Sequence, residues 1–406
     1  MSLIIQKYGG SSVASPELIQ RVADRIKKYA KQGHSLVVVV SALGDTTDDL
    51  LGLAEKITKT PAKRELDMLM ATGEQISMAL LAMALHEIGC EAISFTGGQV
   101  GILTDSAHTR ARIRSIRTKR ILNELKKKKV VIVAGFQGID SHKEITTLGR
   151  GGSDLTAVAL AKALSAQICE IYTDVEGIFT TDPRVVKNAR KITKISYEEM
   201  LELASSGAQV MQSRSIEVAE KYNIPLHVRS SFSTDAGTWI VKEDKSMEDV
   251  LIRGVSVNKN EAKLTLQGVP NRPGVAATIF RTLAKSSVNV DMIIQNIGKA
   301  ATTDISFTIP RGDTADAVKS LKAVSRRIGF KSVSQDPNIA KISVVGIGMR
   351  SHAGVAARMF EALGKNKINI EMISTSEIKI SCVVNKADAD KAVKILHDEF
   401  KLAKVK

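Results

Sequence analysis

An internal repeat in the C-terminal part of this 406-residue chain is the feature that most restricts its fold. Three pairs of segments align in the same order: residues 262–268 with 340–346, 274–277 with 354–357, and 288–293 with 368–373. Each copy has the pattern strand, glycine loop, amphipathic helix, strand, strand, helix, strand. This βαββαβ order predicts two ferredoxin-like domains, each with helices on one face of a four-stranded antiparallel sheet. Two copies predict a tandem pair and not a solenoid.

The chain ahead of the repeat predicts a different architecture. Residues 1–240 alternate short β-branched apolar runs with longer helical patterns, which is typical of a mainly parallel sheet covered by helices on both faces. The first helix has clear ends, because Ser15 is a good N-cap, Pro16 suits the first helical position and Gly33 follows the apolar stripe. The predicted strands are 3–8, 36–41, 91–95, 130–134, 168–172 and 226–229. The fold class is therefore α/β, followed by two ferredoxin-like domains after a charged linker at 242–248.

The excess of basic residues does not by itself predict nucleic-acid binding. The chain has 58 Lys and Arg against 43 Asp and Glu, a net charge of +15 that suits a polyanionic partner. Aromatic residues make up only 4% of the chain, so bases would find few side chains to stack on. The one dense basic stretch, 110–129, has apolar residues at near-helical spacing, which indicates a solvated helix that packs on the core. We expect no nucleic-acid partner.

The cysteines and the apolar runs favour a cytoplasmic protein without membrane contact. Cys90, Cys169 and Cys382 lie far apart, which indicates reduced core thiols and neither a disulfide framework nor a zinc site. The N-terminus has a strand pattern and not that of a signal peptide. The longest uncharged apolar run, 76–85, is too short to span a bilayer.

Three glycine-rich turns follow predicted strands, at the edge where open α/β sheets bind ligands. The first, KYGGSS at 7–12, combines two glycines, a lysine and a following helix N-terminus, all of which suit an anion. The second, GRGGSD at 149–154, holds more polar chemistry than a structural turn needs, although Ser153 or Asp154 as a simple N-cap is the alternative. The third, 172–184, is either a nucleotide loop or a pair of β-turns. Walker A, protein-kinase and Rossmann motifs are absent from the sequence.

These turns resemble the bacterial monofunctional aspartate kinases. The resemblance rests on KYGGSS at 7–12, TTLGRGGSD at 146–154, and YTDVEG at 172–177 with TDPR at 181–184. It extends through 41–47, Gly73-Glu74, RSSF at 229–232 and the C-terminal repeat, so it covers nearly the whole chain in order.

The resemblance implies an amino-acid-kinase αβα sandwich at 1–245 and two ACT domains that bind amino-acid effectors. The first ACT domain would span 262–340 and be inserted into the second, which would comprise 250–261 plus 341–406, with 251–258 supplying a strand. The implied reaction moves the ATP γ-phosphoryl group to the side-chain carboxylate of L-aspartate, with Mg²⁺ on the phosphates. A carboxylate is already a nucleophile at neutral pH, so positioning and charge neutralisation suffice, and the sequence indicates no protein metal site.

Site residues are implied by matching positions. Lys7 would neutralise the transferring phosphoryl group, Asp154 would hold Lys7, and Arg150 would bind the substrate α-carboxylate. Glu74 would pair with the α-ammonium group, unless it is merely an exposed helix residue. Thr47 and Ser153 would lie near the reacting carboxylate. The nucleotide would contact Lys7, Tyr8, Gly9, Gly10, Thr173, Asp174, Phe179, Arg184, Gln209 and Val210. Gln209 stands where many members have Lys, and Arg184 or Arg214 would compensate.

The resemblance also places lysine or threonine as allosteric effectors in the ACT pair and implies a homo-oligomer formed through these domains. Asn271 stands where relatives often have Asp. The implied effector contacts are Asn271, Gly274, Ala276, Asn289, Val290, Asp291 and Gln295 in the first domain, and Asn369, Ile370, Ser376 and Glu377 in the second.

Two other functions remain compatible with the residues. One is a kinase of the same fold that acts on another carboxylate, such as glutamate or acetylglutamate. The other is a non-catalytic amino-acid sensor, with 110–129 as a conceivable nucleic-acid contact. Intact Lys7, Arg150 and Asp154 favour an active enzyme.

Overall fold

The computed structural model describes residues 2–207, 210–243, 251–297, 302–350, 352 and 354–404. Its contacts divide the chain into two compact units, residues 1–179, 191–204 and 209–247 in the first, and residues 180–190, 205–208 and 248–406 in the second. Residues 180–190 therefore group with the second unit, although they lie inside the predicted catalytic domain. The predicted domain limits stay a prediction.

The first unit is built from alternating strands and helices, and its described residues include a 3₁₀ turn at Gly10–Val13. Its strands are β1 (Leu3–Tyr8), β2 (Ser35–Val40), β3 (Ala92–Phe95), β4 (Ile102–Thr104), β5 (Ile113–Ile116), β6 (Val130–Ala134), β7 (Gln137–Ile139), β8 (Ile145–Thr147), β9 (Ile168–Thr173), β10 (Ile178–Phe179), β11 (Lys191–Ile192), β12 (Lys194–Ser196), β13 (Leu226–Ser230) and β14 (Thr238–Val241). Its helices are α1 (Pro16–Lys31), α2 (Thr46–Ile57), α3 (Lys63–Glu87), α4 (Lys119–Lys126), α5 (Gly152–Ala163), α6 (Tyr197–Ser205) and α7 (Ser213–Lys221).

The main sheet has the order β12-β14-β13-β9-β1-β2-β6-β3 and is parallel except for the β13–β14 pair. The prediction of a mainly parallel sheet is confirmed, and each of the six predicted strands appears within one residue of its limits. Ser15 caps α1 by accepting a hydrogen bond from the Leu18 amide. Because β1 lies between β9 and β2, the loops that follow these three strands meet at one edge.

Helices α1 and α3 cover the sheet with apolar side chains. Ile19, Val22 and Ile26 of α1 share a core with strand residues and with Leu81 and Leu85 of α3. Helix α3 is long and apolar enough to cross a membrane by length and composition, and half of its most apolar window is buried. One such helix is weak evidence for a membrane span, because core helices of folded proteins have the same composition.

The prediction of one helix over the basic stretch 110–129 is wrong in its first half. Residues Ile113–Ile116 form β5, which pairs antiparallel with β4, and the helix begins only at Lys119. Pairing with β4 gives this backbone its hydrogen-bond partners, which the local spacing of apolar residues could not indicate. Helix α4 does bury Ile121, while Leu122 is exposed.

The second unit contains two four-stranded antiparallel sheets, ordered β17-β18-β16-β19 and β15-β20-β22-β21. The strands are β15 (Gly254–Asn258), β16 (Glu261–Pro270), β17 (Ile293–Ile297), β18 (Thr302–Pro310), β19 (Ser332–Asp336), β20 (Ile339–Val345), β21 (Met372–Thr375) and β22 (Lys379–Asn385). The helices are α8 (Val275–Lys285), α9 (Thr314–Ile328), α10 (Val355–Lys365) and α11 (Ala389–Glu399).

The first repeat has the predicted βαββαβ order, and the second repeat differs from it. Within the described residues up to 404, no strand follows α11. The fourth strand of that sheet is instead β15, which precedes the whole first repeat and pairs with β20. Such an exchange of an edge strand leaves no trace in a repeat alignment.

Two ion pairs between equivalent positions link the two repeats. Lys341 contacts Asp291, and Lys263 contacts Glu371. Lys263 and Lys341 are equivalent positions in the repeat alignment, as are Asp291 and Glu371, so each repeat supplies one lysine and one acid. Lys341 also lies 2.9 Å from Oε1 of the buried Glu261. Burial lowers the pKa of Lys341, but the carboxylates of Glu261 and Asp291 outweigh that effect and raise it.

Residues 180–190 contribute to the core of the second unit. Val186 is buried in a cluster with residues of β20, α10 and α11. The carbonyl of Thr180 accepts a hydrogen bond from the Val255 amide at 2.8 Å. The hydroxyl of Thr180 lies 3.0 Å from Nε2 of His397, which is fully buried.

Candidate active site

Lys7 and Asp154 form an ion pair at the carboxyl end of β1. Lys7 Nζ lies 2.7 Å from Asp154 Oδ1, and both side chains are largely buried. Asp154 lies in the first turn of α5, where the helix dipole favours a negative charge. The alternative of an ordinary N-cap is wrong, because Gly151 occupies the N-cap position.

The glycines after β1 allow two loops to approach closely. A Cβ atom on Gly10 would lie 2.9 Å from the carbonyl oxygens of Ala42 and Gly44, so this position accepts only glycine without a shift of the backbone. Gly44 donates a backbone hydrogen bond to the Gly10 carbonyl, and Gly9 donates one to the Tyr172 carbonyl at 3.1 Å. The loop after β1 is thereby held between the loops that follow β2 and β9.

Glu74 is a buried carboxylate with one of its oxygens unsatisfied. Gly73 lets α3 approach the end of β2, because a Cβ there would lie 2.7 Å from the Ala42 Cβ. Glu74 Oε1 accepts a hydrogen bond from the Ala42 amide at 3.2 Å, whereas Oε2 has no hydrogen-bond partner in the described part of the chain. Burial raises the pKa of Glu74 to about 8. The reading of Glu74 as an exposed helix residue is therefore wrong, and the site can accept a cation.

Arg150 lies on a glycine turn beside this edge. Gly149 and Gly151 have φ angles of +82° and +68°, in the region that favours glycine. The Arg150 side chain is 97% exposed, and its Nη2 lies 3.8 Å from Oδ1 of the exposed Asp48. Ser153 is buried against Gly135 at the end of β6. Thr47, half-buried, lies in the first turn of α2.

Comparison with known proteins identifies the family. The amino acid kinase family matches residues 2–230, and an ACT domain matches residues 264–324 and 342–400. An aspartokinase of Pseudomonas aeruginosa is 54% identical over 404 residues, which cover 99% of this chain and 98% of that protein. The chain belongs to the aspartokinase family.

Solved aspartokinases share the fold over their whole length. The structure of E. coli aspartokinase III in complex with aspartate and ADP, an R-state, has a TM-score of 0.84 at 27% identity and covers 98% of this chain and 99% of its own. The structure of the same enzyme with lysine and aspartate, a T-state, has a TM-score of 0.75 at the same identity and coverage.

The residues predicted for the nucleotide come from several segments of the chain. Thr173 and Asp174 follow β9, and the Thr173 hydroxyl donates to Asp174 Oδ1 at 3.0 Å. Phe179 ends β10 in the same unit, and Val210 is half-buried, while Gln209 lies outside the described residues. Arg184 belongs to the second unit, where it pairs with Asp182. The described residues contain no cluster of three or more His, Cys, Asp or Glu side chains suited to a metal ion.

Arg214 binds backbone carbonyls, and its predicted compensation for Gln209 stays a prediction. Its two terminal nitrogens donate to the carbonyls of Leu148 and Ala111, at 3.2 and 3.1 Å. Arg214 therefore fixes the backbone leading into the Arg150 turn.

The sequence did not indicate two buried acidic residues near the site, Glu170 and Asp67. Glu170 is buried between β1 and β13 and accepts hydrogen bonds from Gln6, Tyr29 and Tyr172. The sequence feature that could have indicated Glu170 is a charged residue inside an otherwise apolar strand. Asp67 is fully buried on α3, seven residues before Glu74, a spacing that places both on one face of the helix.

Some of the predicted effector residues meet at a cavity in the first repeat. Its volume is about 300 Å³, and its lining includes Asn271, Gly274, Ala276 and Gln295. The lining residues do not include Asn289, Val290 or Asp291. In the second repeat, Asn369 and Glu377 are exposed, Ile370 is half-buried, and the Ser376 amide donates to the Lys379 carbonyl at 2.8 Å. The effector contacts stay a prediction.

Proposed function

We propose that this protein is an aspartate kinase that transfers the γ-phosphoryl group of ATP to the side-chain carboxylate of L-aspartate. The products are 4-phospho-L-aspartate and ADP, in the first step of lysine, threonine and methionine biosynthesis. The proposal rests on the ion pair of Lys7 and Asp154 beside the glycine loop. It agrees with the bound aspartate and ADP of E. coli aspartokinase III.

Charge neutralisation explains how this site promotes the transfer. The aspartate carboxylate is ionised at neutral pH and attacks phosphorus without a general base. Negative charge on the phosphoryl oxygens meets the ammonium group of Lys7, which Asp154 holds at the end of β1. The amide of Gly10, with Tyr8, Gly9, Thr173, Asp174, Phe179 and Val210, forms the proposed nucleotide site. Mg²⁺ enters as part of the MgATP substrate, since phosphates and water supply most of its ligands.

Opposite charges position the amino-acid substrate. Glu74 offers its unsatisfied oxygen to the α-ammonium group, and Arg150, with an exposed guanidinium, binds the α-carboxylate. Thr47 and Ser153 donate near the reacting carboxylate. Two charged contacts at one end of the substrate leave the side-chain carboxylate to face the phosphoryl group.

The cavity in the first repeat is the proposed effector site. Arg272 and the start of α8 lie on its lining and suit an α-carboxylate. Among the described lining residues there is no carboxylate for a lysine ammonium group, which favours threonine over lysine as the effector here. A cytoplasmic homo-oligomer, joined through the ACT domains and without nucleic-acid or membrane contact, completes the proposal.

An acceptor assay tests the reaction. Purified protein, MgATP and L-aspartate should yield ADP and, with hydroxylamine, aspartyl hydroxamate, whereas glutamate and acetylglutamate should not. Lys7→Met should lower kcat by at least about 100-fold, because a placed charge at the phosphoryl group is lost. Lys56→Met, an exposed position in the last turn of α2, is the control and should retain activity. Threonine binding without any turnover would replace the proposal with a sensor.

A further inference from the structure

Asp67 is a buried carboxylate that joins three separate segments of the first unit. Its Oδ1 accepts a hydrogen bond from the Thr147 hydroxyl at 2.5 Å and from the Thr109 amide at 3.0 Å. Its Oδ2 lies 2.7 Å from His108 Nδ1 and 3.1 Å from the Thr109 amide. The side chain is fully buried, so these donors replace water around the charge. Helix α3, the loop at 105–110 and strand β8 are thus held at one point.

The loop held by Asp67 has a strained backbone. Thr109 has a φ angle of +70°, which is unusual for a β-branched residue. Both oxygens of Asp67 accept from its amide, and this contact stabilises the strained conformation. Because the buried Asp67 holds Thr109 in this strained conformation, we expect the position of the loop to affect the residues that pack against it.

The neighbour of Thr109 is the turn that carries Arg150. A Cβ atom on Gly149 would lie 3.2 Å from the Thr109 carbonyl oxygen, so the loop packs directly against the turn. The Ala111 amide also donates to the Thr147 carbonyl at 2.9 Å, two residues before Gly149. Asp67 therefore fixes the Arg150 turn from two sides, through the loop and through β8.

The same helix carries Glu74. Seven residues at 1.5 Å per residue place Glu74 about 10 Å along α3 from Asp67. Because α3 is one continuous helix, the position of the Arg150 turn is fixed relative to the Glu74 carboxylate.

We infer that Asp67 is a positioning residue for the amino-acid substrate, since it sets the distance between the groups that bind the α-ammonium and the α-carboxylate. This inference rests on the proposed function. A turn that moves by a fraction of an ångström would weaken the two-point contact with aspartate but leave the loop after β1 in place. Loss of Asp67 should therefore raise KM for aspartate and spare KM for ATP.

Two kinetic readouts separate positioning from a general loss of structure. Asp67→Asn keeps the size but loses the charge, and it should raise KM for aspartate at least about tenfold while KM for ATP changes less than about twofold. The α-amide of L-aspartate lacks the charge that Arg150 binds. The preference of the wild type for aspartate over this amide should fall in Asp67→Asn.

Matched variants keep the test valid if Asp67→Asn folds poorly. Thr147→Val removes one donor to Asp67 and should show a milder form of the same defect, whereas Thr147→Ser keeps the hydroxyl and should restore wild-type KM. Glu199→Gln is the control, because Glu199 is also fully buried in the first unit but accepts hydrogen bonds from the amide and hydroxyl of Ser196 at the start of α6. It should leave the preference for aspartate unchanged.

The outcomes distinguish the inference from the proposed function. An active wild type with unchanged KM for aspartate in Asp67→Asn and Thr147→Val overturns the inference alone. A parallel rise in both KM values, or an equal effect of Glu199→Gln, assigns Asp67 a purely structural role. A wild type inactive on aspartate overturns the proposed function and the positioning role together.

Discussion

The carboxyl group of Glu74 is costly to ionise because it is buried. One amide hydrogen bond offsets part of the cost of burial, and the pKa of Glu74 remains raised to about 8. At neutral pH the carboxyl group is therefore mostly protonated until an ammonium group arrives. Substrate binding and loss of a proton are coupled at this residue.

This coupling predicts a pH-dependent affinity for aspartate. Below the raised pKa, binding must first remove the proton, so KM for aspartate should fall by up to about tenfold per unit as pH rises from about 6 to 8. It should level off above pH 8, where the carboxylate is already ionised. Glu74→Gln should have a high KM over the whole range. Initial rates at several pH values test this, and a flat profile in the wild type would contradict it.

Gly10 and Gly52 provide a matched pair of glycine substitutions. Gly10→Ala would place a methyl group 2.9 Å from two carbonyl oxygens and should destabilise the protein by about 1–3 kcal/mol, with a raised KM for ATP. Gly52 lies inside α2, and its Cβ would meet no described atom within 4 Å. Gly52→Ala should therefore stabilise the protein by about 0.5–1 kcal/mol. Urea unfolding compares the two, and equal effects would show that the loop after β1 tolerates a side chain.

At the scale of elements, the reciprocal ion pairs between the repeats differ in burial. Lys341 is 3% exposed and faces the buried Glu261 as well as Asp291, whereas Lys263 and its partner Glu371 are each 22% exposed. Equivalent positions in the repeat therefore carry unequal charge environments. Lys341 and Glu261 form a buried pair with the 44% exposed Asp291 at its edge, whereas both members of the Lys263 pair are partly exposed.

This asymmetry predicts unequal effects of the same substitution. Lys341→Met leaves Glu261 buried and unpaired and should lower the free energy of unfolding by about 3–5 kcal/mol. Lys263→Met should cost about 1 kcal/mol or less. Calorimetry of the two variants, with Glu261→Gln added to Lys341→Met as a rescue, measures the difference. Similar losses for both lysines would contradict the assignment.

The sequence predicted helices and strands correctly where the local pattern of apolar residues agrees with the long-range pairing of the strands. Strands β1 and β6 match their predicted limits because their apolar runs are buried on both faces of a parallel sheet. Strand β5 was missed, and the exchange of β15 was implied by the family resemblance but not by the repeat pattern, because long-range pairing decides both. In the site, Lys7, Asp154 and Glu74 lie at one edge of the sheet, whereas Arg184 lies within residues 180–190 of the second unit and its nucleotide contact stays a prediction. Asp67 was invisible, since its partners are distant in the chain.

At the scale of the whole molecule, residues 180–190 predict how a truncated chain behaves. A fragment of residues 1–247 retains Val185, Val186 and Ala189 but lacks the core in which they pack. It should aggregate more readily than the full chain. Val186→Ser should improve the solubility of the fragment and lower the melting temperature of the full chain. A fragment as soluble and stable as the full chain would contradict this prediction.

The path of residues 180–190 also restricts the design of chimeras between two proteins of this family. The backbone leaves the first unit after β10, contributes to the core of the second and returns at β11. A chimera joined at one crossover near residue 247 would take this segment from one parent and its surroundings from the other. Thr180 would then face a foreign residue in place of His397. A chimera that exchanges the C-terminal part should therefore take residues 180–190 from the same parent.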